Sequence, residues 1–147
     1  MSAWLRAVTA AALLLNAGAV FAAENTPVGT WKTIDDATGK PASIVQITEE
    51  GDELKATVLQ ILTQPTPRGF CHACEGERKD QPIEGMNIMW GVHKHGDAWD
   101  GGQILDPKSG KIYKVKLQPN ADGSKLTVRG YMGVSLFGRS QEWLRQP

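Results

Sequence analysis

Apolar and polar residues alternate in short runs along most of this chain. Val45 and Ile47 share one face of the run Ser43 to Thr48, and Gln46 and Thr48 share the other. Leu54, Ala56 and Val58 share a face of Leu54 to Ile61, and Tyr113, Val115 and Leu117 share a face of Ile112 to Leu117. A period of two marks a strand with one face buried. Further strands are predicted over Val28 to Ile34, Asn87 to Lys94, Ala98 to Leu105, Leu126 to Tyr131 and Gly138 to Arg145. Helical periodicity is weak throughout.

Turn chemistry separates these runs. Asp35 to Lys40, Glu50 to Asp52, His95 to Asp97, Asp106 to Gly110 and Asn120 to Gly123 are rich in Asp, Asn, Gly, Ser and Pro, the residues that reverse a chain at low cost. The Gly101-Gly102 pair inside a strand predicts a bulge or a close backbone approach. One stretch breaks the rhythm. Thr63 to Met86 holds three prolines, three glycines and both cysteines. It reads as a long loop with a helical turn at most, and loops of that length usually serve a function or move.

The expectation is an all-β, single antiparallel up-and-down barrel of about eight strands, the number that closes around side chains or one small ligand. Closure also removes exposed strand edges. A two-sheet sandwich is the structural alternative, which alternation alone does not separate from a barrel.

The first residues carry a different pattern. Arg6 precedes an apolar run from Ala7 to Phe21, broken only by Thr9, Asn16 and Gly18, and Val20-Phe21-Ala22 puts fairly small residues where a signal peptidase reads. A secretory signal over residues 1–22 is expected, with the barrel domain over 23–147. The run is shorter than the roughly 20 residues of a membrane-spanning helix, and no later segment suits stable membrane insertion. The expected location is the periplasm or the cell exterior. Sixteen Lys and Arg balance sixteen Asp and Glu, which argues against nucleic acid, a partner that favours a basic face.

Cys71-His72-Ala73-Cys74 admits three readings. The first is a structural disulfide that pins the long loop, favoured by an oxidising compartment and worth about 2 kcal/mol for so short an enclosed loop. The second is a redox dithiol, which lacks the βαβ pattern and helix N-terminus that such pairs use. The third is a zinc site completed by His93 and His95, whose spacing is tighter than in familiar zinc modules. No metal or other cofactor is assigned.

Trp90, Trp99, Tyr113, Tyr131 and Trp143 are spread over several of the strands. A barrel that turns some of them inward lines a pocket with apolar walls; ordinary core packing is the other use for each. Arg129 shares a strand face with Thr127 and Tyr131, opposite Leu126 and Val128. If that face is the lumen, Arg129 meets an acidic group of a ligand; if not, it belongs to a solvated wall. No Gly-x-Ser-x-Gly elbow, His-Glu-x-x-His pair or phosphate-binding glycine loop is present, so no enzyme is expected.

Several blocks together resemble a known family. They are Gly29-x-Trp31-Lys32-Thr33-Ile34-Asp35-Asp36; Cys71-x-x-Cys74-x-Gly76-Glu77 with Gln81-Pro82-Ile83 and Gly85-Met86; Trp99-x-Gly101-Gly102-x-Ile104-Leu105-Asp106-Pro107 with Gly110-Lys111-x-Tyr113; Val128-Arg129-Gly130-Tyr131; and Gly138-Arg139-x-Gln141-x-Trp143-x-Arg145. In order and spacing they resemble the exported bacterial family called domain of unknown function 2147. That family is similar to the calycins, the lipocalin and avidin-like barrels. The resemblance implies that Trp31 packs across one barrel end against a basic residue of the last strand, Arg145 or Arg139. A guanidinium stacked on an indole is worth about 1–2 kcal/mol when partly desolvated. The family brings no reaction with it.

The functional expectation is a lipocalin-like binding protein for a small, partly apolar molecule, with Trp90, Trp99, Tyr113, Arg129, Tyr131 and Trp143 as ligand-binding residues. The alternatives are an envelope module with a filled barrel and a protein partner, and a metal or redox protein built on the cysteine pair.

Overall fold

The computed structural model describes residues 25–63 and 69–147; the expected signal over 1–22 lies outside the described residues. Eight strands follow one another: β1 (Gly29–Ile34), β2 (Pro41–Glu50), β3 (Glu53–Ile61), β4 (Asn87–His95), β5 (Ala98–Asp106), β6 (Lys111–Pro119), β7 (Lys125–Tyr131) and β8 (Gly138–Arg145). Each pairs with the next, and β8 returns antiparallel to β1. The result is a closed up-and-down barrel, not a sandwich. Two 3₁₀ turns, Gly76–Arg78 and Ser135–Phe137, lie in the connections before β4 and β8.

Short polar side chains set the turns. Asp35 Oδ1 accepts from the N–H groups of Ala37 and Thr38 and from the Thr38 hydroxyl. Asp106 accepts from the Lys108 N–H and the Ser109 hydroxyl, and Asp122 accepts from the Ser124 N–H and hydroxyl. Each aspartate mimics a backbone turn with its own side chain, so one residue type closes three hairpins.

The register turns one set of side chains inward. Trp31 opposes Val45, Val45 opposes Val58, Ala56 opposes Met89, and Met89 opposes Ile104. Val115 opposes Gly130, Leu117 opposes Val128, and Leu126 opposes Trp143. Most of these are buried, and with Ile47, Leu54 and Val92 they make the core. Register shifts interrupt the ladders at Ile44/Val45, between Leu54 and Thr57, and between Trp99 and Gly102. Bulges of this kind bend strands enough to close a small barrel.

The barrel has two unlike ends. At one, the chain enters β1, leaves β8, and makes the β2–β3, β4–β5 and β6–β7 turns. At the other lie the β1–β2 turn, the long β3–β4 connection, the β5–β6 turn and the β7–β8 connection. We call these the closed end and the mouth. Among the described residues no helix is long and apolar enough to cross a membrane.

Candidate functional site

The closed end is sealed by one cluster. The Arg145 guanidinium lies 4.2 Å from the Trp31 ring centroid. Its Nε donates to the Gly123 carbonyl at 2.6 Å, Nη1 to Val28 at 2.9 Å and Nη2 to Thr26 at 2.6 Å. Trp31 Nε1 donates to Pro27 O at 2.7 Å. Gly29 makes this possible. Its φ of 141° suits glycine, and a Cβ there would collide with the guanidinium. Of the two arginines proposed to cover Trp31, Arg145 takes the role. Arg139 does not, because it lies three inward positions along β8, at the mouth. There its Nε pairs with Asp36 Oδ2 at 3.1 Å.

The inner wall changes character towards the mouth. Near the closed end and centre it is apolar and buried. Beyond Trp143 and Val58 the inward positions are Thr33, Ser43, Ile61, Ile104, Tyr113 and Gln141, most of them partly exposed. Thr33 Oγ1 and Ser43 Oγ share a hydrogen bond of 2.7 Å. Trp143 Nε1 donates to Gln141 Oε1 at 3.2 Å, and Gln141 Nε2 donates to Asp36 Oδ2 at 2.9 Å. A polar chain thus runs from the buried indole through Gln141 to the Asp36–Arg139 pair on the rim. Tyr113 packs beside Gly130 on the same inner face. The rim continues into Met132, Val134, Leu136 and Phe137, all exposed, the last two by 79%.

The six residues expected to bind a ligand do not form one site. Trp143 and Tyr113 point inward. Trp99 is buried, opposes Leu117 and sits at the closed end under the Lys94 ammonium, 5.4 Å from its ring centroid. Trp90, Arg129 and Tyr131 lie on the outer wall. Arg129 and Tyr131 are turned out because Leu126 and Val128, their apolar neighbours, take the core positions on β7. Arg129 donates to Ser140 Oγ at 3.0 Å and to Leu136 O at 3.2 Å, bracing the β7–β8 connection from outside. The guanidinium that reaches the mouth is Arg139. Gln141, Thr33 and Ser43 were missed among the mouth residues; the alternation Arg139, Gln141, Trp143, Arg145 along β8 was the available signal.

Cys71 and Cys74 form a disulfide with Cα atoms 5.3 Å apart. Both are buried, which keeps the sulfurs from thiol exchange and disfavours a redox role. His93 and His95 sit at the closed end, whereas the cysteines pack at the mouth, so the four cannot share a metal. Each histidine meets an aspartate instead: His93 Nδ1 lies 2.9 Å from the Asp52 carbonyl, and His95 pairs with Asp100. The disulfide loop is pressed onto the barrel. Cys71 Sγ lies 3.4 Å from the Pro107 carbonyl, a contact rather than a hydrogen bond because a disulfide sulfur carries no proton. A Cβ on Gly110 would run into the Ala73 carbonyl. Ile88 and Leu105 face outward by alternation from Met89 and Ile104, yet both are buried; the loop is what covers them. Within it, a hydrogen bond from His72 (2.8 Å) holds the Asp80 carboxyl below the usual range, with Lys79 adding to the effect.

On the outer wall, Trp90, Gln103, Lys114 and Tyr131 flank a cleft of about 440 Å³ floored by Gly91, Gly101 and Gly102. Arg78 of the disulfide loop stacks over Trp90, 4.5 Å from the ring centroid.

The barrel is similar to a solved structure described as protein HP1028 from the human pathogen Helicobacter pylori, which belongs to the lipocalin family. The two share 18% identity over 82% of each chain, with a TM-score of 0.71. At that identity the likeness speaks for the fold, which is lipocalin-like. No curated protein matches the chain. A family model matches residues 29–145, the span from the start of β1 to the end of β8, and the chain belongs to that family, described as "Uncharacterized protein conserved in bacteria (DUF2147)".

Proposed function

We propose that this protein is a non-catalytic carrier or sensor that holds a small, partly apolar molecule at the mouth of its barrel, in the periplasm or outside the cell. One observation carries the reading: the inner wall is closed and apolar below Trp143 but becomes mixed and accessible at the mouth. Ile61, Ile104 and Tyr113 offer apolar contact there. Gln141 and the Thr33–Ser43 pair offer hydrogen bonds, and Arg139 offers a cation to an acidic group. A few placed polar groups in a mainly apolar concavity are what small-molecule sites use. Because the lower barrel is packed with buried side chains, the proposed site is the mouth and not a full lumen.

The test is a titration of the mature protein with an anionic naphthalene dye, which pairs an apolar ring with an acidic group. Tyr113→Ala and Arg139→Ala are each expected to weaken binding at least about fivefold, roughly 1 kcal/mol. Leu136→Ser with Phe137→Ser controls for adsorption to the exposed rim. Equal binding by all variants, or binding lost only in the rim variant, would reject the mouth as the site. The mass of protein purified from the envelope tests export: a chain beginning at Ala23 is expected.

A second reading, an envelope interaction module, draws on the exposure of Leu136 and Phe137. Isolated apolar side chains at a surface are ordinary, but a contiguous run of them often marks a partner site. It predicts that residues 132–137 gain hydrogen-exchange protection in envelope extract and not in buffer.

A further inference from the structure

Four outward side chains fall in one line across the barrel wall. Trp90 on β4 opposes Gln103 on β5, Gln103 opposes Lys114 on β6, and Lys114 opposes Tyr131 on β7. Three strand spacings put the ends of this row about 14 Å apart. A cleft of about 440 Å³ lies along the row, lined also by Gly91, Gly101 and Gly102, and its volume is within the roughly 300–1,000 Å³ of small-molecule sites. This cleft is separate from the mouth, and its occupancy does not depend on the mouth reading.

The chemistry of the row is specific. Trp90 Nε1 donates to Gln103 Oε1 at 3.3 Å, which ties the indole edge to the amide. Arg78 covers the indole from the disulfide loop. Among the described residues no carboxylate forms an ion pair with Lys114 or Arg78. The Lys114 ammonium has a long 3.5 Å contact to the Gly133 carbonyl. A cleft open to water along a strand-crossing line does not suit a wholly apolar ligand, which requires enclosure. It suits a linear molecule whose units each have an apolar face and a polar edge. Aromatic rings take the C–H faces, the Gln103 amide and glycine peptide groups take hydroxyls, and the Lys114 ammonium takes an acid.

We infer that the outer wall binds a short acidic saccharide, stacked on Trp90 and Tyr131, hydrogen-bonded to Gln103 and ion-paired through Lys114. Arg78 holds Trp90 in place from the loop side and adds positive charge at the end of the row.

The experiment is a screen of the mature protein against galacturonate, mannuronate and glucuronate oligomers and sialyl and muramyl saccharides, with neutral gluco-oligosaccharides as controls. Hits are titrated by calorimetry, which reads binding without the Trp90 indole. At least one acidic oligomer is expected to bind with Kd below about 1 mM, at least tenfold more tightly than its neutral counterpart. Trp90→Ala and Lys114→Ala are each expected to weaken it about tenfold. Lys114→Met is expected to narrow the gap between acidic and neutral oligomers. Far-ultraviolet circular dichroism and an unchanged urea-unfolding midpoint show that the variants fold, and Tyr113→Ala and Arg139→Ala, which alter the mouth alone, are expected to bind the oligomer as the wild type does. No panel member bound at about 1 mM, wild-type affinity in either alanine variant, or preference for the neutral oligomers would each overturn the assignment.

Discussion

Arg145 and Arg139 stand six residues apart on one strand face and differ in everything that decides energetics. Arg145 is stacked on a buried indole and makes three hydrogen bonds to carbonyls. Arg139 has one exposed ion pair with Asp36. Arg145→Ala is expected to cost about 3 kcal/mol, and Arg139→Ala at most about 0.5 kcal/mol; urea unfolding of the two variants would measure the gap, and equal losses would refute the seal. The turn aspartates carry a pH effect. Asp35 is held below its usual pKa mainly by the Thr38 N–H and hydroxyl, Asp122 by the Ser124 hydroxyl and N–H, and Asp80 by His72. A depressed carboxyl stabilises the fold above its unfolded pKa near 4 and loses that contribution as pH falls through the lower folded value. The melting temperature is therefore expected to hold from pH 7 to about 5 and to drop below about 4. Asp122→Asn should flatten that drop, and an unaltered acid profile would show that the turn contributes nothing. The Trp31 cluster was legible in the sequence only through resemblance. No periodicity says that Gly29 must clear space for a guanidinium that arrives from the far end of the chain.

The disulfide loop is the element that alternation describes least. Its apolar residues follow no strand period, because the loop packs as a cover on Ile88, Leu105 and the β5–β6 turn. The strands around it were legible for the opposite reason: Leu54, Ala56 and Val58, or Val115 and Leu117, alternate without interruption. The outward turn of Trp90 was not legible, since the β3–β4 register shifts and the left-handed Gly91 break the count of faces on β4. Nor was the strand face of Arg129 settled by pattern, although Leu126 and Val128 were the better core candidates. Replacing Cys71 and Cys74 by Ser is expected to cost about 2 kcal/mol. The loss should fall first on the loop and on Ile88 and Leu105, as earlier hydrogen exchange there than in β6 and β7. Uniform exchange across all eight strands would mean that the loop is not a separable cover. Because Arg78 rides on this loop, the same variant should also loosen Trp90.

At the scale of the whole molecule, the barrel keeps its two ends chemically apart. One is stapled by Arg145 and packed with tryptophan; the other is mixed, accessible and fringed with Met132, Val134, Leu136 and Phe137. Binding at the mouth need not disturb the closed end, so ligand is expected to raise the melting temperature without altering Trp31. The seam between β8 and β1 has a further consequence. It rests on two register pairs, Trp31 with Arg145 and Lys32 with Leu144, and on the Gln146 N–H bonded to the Thr30 carbonyl at 2.8 Å. The two ends of the described barrel therefore lie side by side. A circular permutant, with a short Gly-Ser linker from Pro147 to Asn25 and new termini opened between Gly133 and Val134, should fold to the same far-ultraviolet spectrum and unfold cooperatively. If it does, the wall is a ring of neighbours with no privileged first strand, and the same protein can be re-cut to display its mouth as free chain ends.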